Sequence, residues 1–404
     1  MIISNIVIII LIFAWGLFGI EAVFKRQHNL AKKEIVFLQY LYVYHLLISL
    51  FFSYYVLKDG GDAKAYWFLS SRFSTDIGWT EYYRIGTYFM LFITYPLVKI
   101  LEVNFYVGGL LFATLGFSSF IYLYVIVRKF IKKPIILWSI NVFPFILFLP
   151  NLHFWTAGIG KDALTTFAIM LFYYAFFDYK RKWGWGLLSI VLMYHIRPHI
   201  VLFLLASSTL ALLIDGRLKL SIKILLALIM MTSVAFMFDR VLAFLKLDEV
   251  TSESVTQFAD IRSANLGKSS GSAVDMSGYP FPFKILTFLY RPLFFDYNGI
   301  MSLFASFENL VLLIISTLLL RLKPLLAFKQ APVQIKSILI FFVVSTVAFS
   351  MTLSNLGIIL RQKTPIILCL LIFIFWCFGY RRYLQGKSQS NKIAHAQKFG
   401  KCEQ

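Results

Sequence analysis

Twelve apolar segments succeed one another along this chain, and no other feature limits its fold so strongly. They lie at about 3–24, 35–57, 85–101, 104–127, 134–150, 163–178, 184–197, 198–214, 219–238, 300–320, 335–353 and 364–380. A bilayer core roughly 30 Å thick is crossed by about 20 residues of helix. Inside it the backbone must satisfy its own hydrogen bonds. The spacing therefore predicts an all-α, polytopic transmembrane bundle. Composition agrees: 59% of residues are hydrophobic and 14% charged, with mean hydropathy +0.77, far outside the soluble range. The 43 Phe and 22 Tyr suit rings packed between helices and along interfaces.

The net charge of +20 superficially suggests a nucleic-acid partner, but no soluble domain carries a basic binding face. The cations instead gather in short loops: Lys25-Arg26 with Lys32-Lys33, Arg128-Lys129 with Lys132-Lys133, Lys180-Arg181-Lys182, Arg217 to Lys223, Arg321 to Lys336, and the tail from Arg381. The positive-inside rule puts all six in the cytoplasm. An even number of crossings must then separate the first two loops, yet three apolar segments lie between them. The weakest, 85–101, contains Pro96 and Lys99 and reads as interfacial or re-entrant. The expectation is about eleven crossings, with the N-terminus out, the C-terminus in and a retained first helix. Residues 1–380 form the transmembrane domain, with extracytoplasmic loops at 58–84 and 239–299. The second loop holds an amphipathic stretch, 238–250, and a Ser/Gly-rich stretch, 267–272. Residues 381–404 form a disordered cytoplasmic tail. Cys369, Cys377 and Cys402 offer neither metal spacing nor a disulfide framework.

Polar motifs on the outer side carry the chemistry. His195-Ile196-Arg197-Pro198-His199 interrupts an uncharged run, 183–214, that is about 48 Å long as a helix. That is too long for one crossing and slightly short for two, so a hairpin tip is expected there. An arginine at mid-membrane costs about 2.5–3.5 kcal/mol on insertion scales and faces a protein-lined or watery site. Arg197 offers bidentate recognition of phosphate or carboxylate, and His195 or His199 can shuttle a proton. Two histidines alone do not make a zinc site. Asp59-Gly60-Gly61-Asp62 provides either a base or two oxygen ligands for a divalent cation, Mg or Mn, although no cofactor is required. Gly158-Ile159-Gly160-Lys161-Asp162 opens a helix, where free N–H groups favour an anion. Arg291 is either a second anion ligand or the partner of Asp296. Arg361 either completes a basic ring or snorkels to the interface. His45 reads as a core residue.

These features together resemble bacterial inner-membrane proteins of surface-polysaccharide assembly, the O-antigen-polymerase-like (Wzy-type) proteins and the GT-C membrane glycosyltransferases. The resemblance lies in about eleven helices, the acidic motif at Asp59 and Asp62, the outer cations Lys161, Arg197, Arg291 and Arg361, and the late outer loop. It implies transfer of a sugar from a polyprenyl-phosphate or polyprenyl-diphosphate carrier at the outer face of the inner membrane. In that reading Asp62, Asp59 or Asp162 acts on the acceptor hydroxyl, and the four cations hold the phosphate. The implied partners are the lipid-linked sugar, membrane lipids and other polysaccharide-assembly proteins. The competing expectations are a flippase or transporter of lipid-linked glycans or another anionic substrate, with Pro96, Pro198 and Pro292 as hinges, or a non-catalytic subunit of a polysaccharide assembly complex.

Overall fold

The computed structural model describes residues 2–72, 78–131, 134–137, 140–215, 219–225, 227–228, 230–232, 235, 272–276 and 278–399. The regular structure among these residues is helical apart from a minimal ribbon, in which Ile136–Leu137 pairs antiparallel with Ile140–Asn141, and a single antiparallel bridge between Ala273 and Asn355. Six helices among the described residues are long and apolar enough to cross a membrane: Ile2–Lys25, Lys32–Asp59, Phe105–Arg128, Ile300–Leu320, Val333–Thr352 and Leu356–Gly386.

The principal helices are α1 (Ile2–Ala14, extended by π-turns to Lys25), α2 (Lys32–Asp59), α3 (Asp62–Arg72), α4 (Thr87–Tyr95) and α5 (Phe105–Arg128). These are followed by α6 (Pro150–Phe154), α7 (Lys161–Phe176), α8 (Tyr179–Ile196), α9 (Pro198–Ile214) and α10 (Phe281–Tyr290). The last four are α11 (Ile300–Leu320), α12 (Pro324–Lys329), α13 (Val333–Thr352) and α14 (Leu356–Phe399). Local chemistry sets several boundaries. The Asn104 side chain caps α5 by accepting from the Val107 N–H at 2.9 Å. Glu34 in the first turn of α2 accepts from the Ala31 N–H at 2.8 Å. Pro198 forces the residue before it out of the helical region, so Arg197 is extended (φ −149°, ψ 84°) between α8 and α9.

The segment 134–150 departs from expectation, because it is not one helix. After the ribbon come single turns at Val142–Phe145 and Ile146–Phe148, then α6. It runs beside α2 from one end to the other: Phe145 and Phe148 pack on Phe37, the Phe148 carbonyl accepts from Tyr44 Oη at 3.0 Å, His153 meets His45, and Phe154 meets Tyr55. That path spans about 27 Å of helix α2. Broken backbone at such depth is tolerated only where protein buries it. The burial is close: a Cβ at Gly116 of α5 would stand 2.0 Å from the Thr156 carbonyl oxygen. The 85–101 segment is likewise short, with α4 and its π-extension ending at Ile100. The 219–238 segment lies only partly within the described residues, and 238–250 and 267–271 lie outside them. The tail does not begin at Arg381 as an irregular segment: α14 continues unbroken to Phe399.

The molecule has two chemically distinct ends. At one, Arg128 donates to Glu34 Oε1 and to the His28 and Asn29 carbonyls, Gln334 donates to the Phe176 carbonyl, and Arg382 to the Pro134 carbonyl. Five of the basic loops therefore meet there. The starts of α1, α3, α5, α7, α9 and α14 gather at the other end.

Candidate functional site

Chain segments far apart in sequence meet at this second end. The loop before α7 positions Asp162, whose side chain is 7% exposed. Its Oδ1 accepts from Arg197 Nη2 at 2.6 Å, and its Oδ2 accepts from Arg361 Nε. Arg361 also donates through Nη1 to Asp62 Oδ2 at 2.6 Å. Asp62 opens α3 and its side chain is 55% exposed. Lys161 donates to Thr87 Oγ1 at 3.0 Å and stands 5.9 Å from the centre of the Tyr66 ring. Burial first, and the nearby Asp62 carboxylate second, push the Tyr66 phenol up to about 12, so it remains protonated at neutral pH. The result is a contiguous cluster, Asp62–Arg361–Asp162–Arg197, with Lys161 beside it.

The backbone explains why these side chains meet. Arg197 occupies the break between α8 and α9, so it lies at a helix end and not at mid-span. Gly60 and Gly61 take φ of +87° and +136° and separate α2 from α3. That conformation suits glycine and turns the chain so that Asp62 begins the next helix. Asp162 lies in the first turn of α7, where a carboxylate also complements the helix dipole. A carboxylate shared by two guanidinium groups holds both planes in place.

Five of the nine residues expected at the site are thus brought together. The other four stand apart. Asp59 is exposed at the end of α2 and makes no ion pair with the described residues. Arg291 falls on the other side of α14: it grips Asp296 through Nε at 3.0 Å and through a second contact from Nη2, and its Nη1 lies 3.4 Å from Tyr279 Oη. The Arg291 carbonyl accepts from Lys363, which sits two residues, or roughly 200° of helix turn, from Arg361. The structure therefore makes Arg291 the partner of Asp296. His199 packs against Phe203 and Phe349. His195 lies at the rim, stacked on Phe89, with its carbonyl accepting from the Gly86 N–H at 2.7 Å. Among the described residues no group of three or more His, Cys, Asp or Glu side chains gathers to hold a metal.

Thr87, which accepts from Lys161, and Lys363 have no role assigned from the sequence. Lys363, 1% exposed, donates to the Leu289 carbonyl (3.0 Å), the Arg291 carbonyl (3.1 Å) and Asn309 Oδ1 (2.8 Å). Deep in the bundle, His45 Nδ1 meets His153 Nδ1 at 2.7 Å, and the His153 ring stacks on Phe120.

No protein family, no curated protein and no solved structure matches this chain.

Proposed function

We propose that the protein is a membrane glycosyltransferase or polysaccharide polymerase that takes its sugar from a polyprenyl-phosphate-linked donor at the outer face of the bacterial inner membrane. The observation that carries this reading is the meeting of Asp62, Lys161, Asp162, Arg197 and Arg361 from four separate segments at the end opposite the basic loops. A polyprenyl-linked donor needs apolar surface for its tail and cations for its phosphate; the cluster supplies the cations, and the exposed rings of Tyr83, which packs on His195, and Tyr88, next to Thr87, offer apolar surface beside it. The two-ended arrangement of charge also supports about eleven crossings, counting the broken 134–150 segment, with the N-terminus out and the C-terminus in.

In the proposed reaction the acceptor hydroxyl oxygen forms a bond to the anomeric carbon as the bond from that carbon to the phosphate oxygen breaks. The hydroxyl proton passes to the Asp62 carboxylate, and the electron pair leaves with the phosphate. Arg361, Arg197 and Lys161 neutralise the charge that develops there, the kind of preorganised electrostatic help that dominates many such transfers. Asp162, buried and doubly engaged, is the positioning residue for the two arginines and not the base. Purified protein with a lipid-linked sugar donor tests the proposal. Glycan product that is lost in Asp62→Asn and Arg197→Ala at equal expression supports it. Undiminished product in both variants ends it, and translocation without bond formation marks a flippase instead.

A further inference from the structure

We infer that Asp62 fills, in the ligand-free protein, the place on Arg361 that a doubly negative phosphate group takes when it binds. This rests on the phosphate-handling reading above.

The two carboxylates of the cluster are held very differently. Asp162 is buried and has one oxygen on each arginine. Asp62 touches the cluster only through Oδ2 on Arg361 Nη1, and more than half of its side chain is exposed. It therefore lies on the solvent side of the guanidinium, where a ligand arrives. Directly before it come Gly60 and Gly61, and no atom lies within 4 Å of where a Gly60 Cβ would be. The start of α3 thus hangs from the two residues with the least steric restriction on a swing. An ion pair with so exposed a partner is weakly held. A phosphate offers Arg361 and Arg197 paired oxygens that one carboxylate oxygen does not.

Charge sets the kind of ligand. Lys161, Arg197 and Arg361 stand against Asp62 and Asp162, which leaves one positive charge in excess. With Asp62 withdrawn, two remain, the complement of a diphosphate diester or of a phosphate monoester; a sugar held by a single phosphate carries only one charge, so of the two carriers the displacement selects the diphosphate-linked donor. The same displacement frees the Asp62 carboxylate for the acceptor hydroxyl only when a phosphate has arrived. The base is thereby coupled to donor binding.

Titration calorimetry on the full chain in detergent tests this, with farnesyl phosphate as a lipid-borne dianion and inorganic phosphate as a free one. Removing the internal competitor in Asp62→Asn should tighten farnesyl phosphate binding by about twofold to fivefold, the range that a weakly held ion pair allows. Asp62→Glu keeps the competing charge and should bind like the wild type. Thermal melts of both variants establish that they are folded. Unchanged or weaker binding in Asp62→Asn, with the wild type binding normally, overturns the displacement and leaves the phosphate site standing. No binding of either ligand by any form overturns both. An equal gain for inorganic phosphate supports the displacement but assigns the site to free phosphate and not to a lipid carrier.

Discussion

Asp162→Asn is the substitution that most sharply separates a buried clamp from a surface ion pair. Asp162 is 5% exposed, and its two oxygens are shared by Arg197, itself 7% exposed, and Arg361. Neutralising it leaves two guanidinium groups facing one amide, with Arg197 deprived of its only ion pair among the described residues. Removing one partner of a buried pair costs about 3–5 kcal/mol, because the remaining charge is left uncompensated. Asp62 contacts the same Arg361 from an exposed position, where an ion pair contributes about 0–1 kcal/mol. Asp162→Asn should therefore lose several times more stability than Asp62→Asn. The assay is reversible unfolding in detergent, or melting followed by size-exclusion chromatography, with Arg197→Met and the double variant completing a cycle. A coupling of about 1.5 kcal/mol or more between positions 162 and 197 is expected. If Asp162→Asn and Asp62→Asn unfold alike, or the cycle shows no coupling, Asp162 is no clamp.

Lys363→Met should cost about 3 kcal/mol, since it orphans two buried acceptors, the Leu289 carbonyl on α10 and Asn309 Oδ1 on α11, and a part-buried one, the Arg291 carbonyl; unfolding in detergent measures it. Gly116→Val should lower the yield of folded protein and weaken ligand binding together, because its Cβ would collide with the Thr156 carbonyl and push the loop that leads into Lys161 and Asp162 at the start of α7. His28, at the basic end between α1 and α2, is held down to about 4 by burial first and then by Lys182, Lys129 and Arg128. Its folded value lies below the unfolded one, so the stability it contributes is complete above about pH 6.5 and is lost as pH falls towards 4. Melting temperature against pH should fall across that window in the wild type and fall less in His28→Gln; equal slopes in the two proteins would refute this.

The helical nature of the chain and its two chemically different ends are legible in the sequence because both follow from one-dimensional patterns. Apolar length specifies helices that suit a bilayer, and loop charge tells the two sides apart. Arg197, Lys161 and Asp162 were legible because a charge inside or beside an apolar run is costly to keep idle. Their pairing was not, because which cation meets which carboxylate depends on how α7, α9 and α14 are rotated about their axes. Arg291 shows the limit: five residues from Asp296, it had a local partner that satisfied it before any distant site did. Arg361 and Lys363 show the same limit within one helix, where two residues of separation send one side chain to the charge cluster and the other to a polar pocket on the opposite side. The 134–150 segment misled for a different reason. Its apolar composition describes what surrounds it, and an irregular backbone wrapped by α2 and α5 needs the same apolar side chains as a lipid-facing helix.

The break at Arg197 joins these levels. A proline one residue later ends α8, and the extended backbone at Arg197 directs its guanidinium towards the first turn of α7, where Asp162 waits. A continuous helix in that place would have put the arginine on a helical face, with its orientation set by the neighbouring turns. Interrupting the helix exposes polar backbone, but here the Arg197 N–H still donates to the Met193 carbonyl at 2.7 Å, and its carbonyl accepts from Ile200 at 3.0 Å. The cost of the break is therefore small, and a fixed cation is gained at the level of Asp162. Replacing Pro198 with alanine tests that argument: α8 and α9 could then join, Arg197 would turn away from Asp162, and ligand binding should fall while helix content is kept or rises. A variant with undiminished phosphate affinity would show that the arginine is held by Asp162 alone and that the break serves only the hairpin.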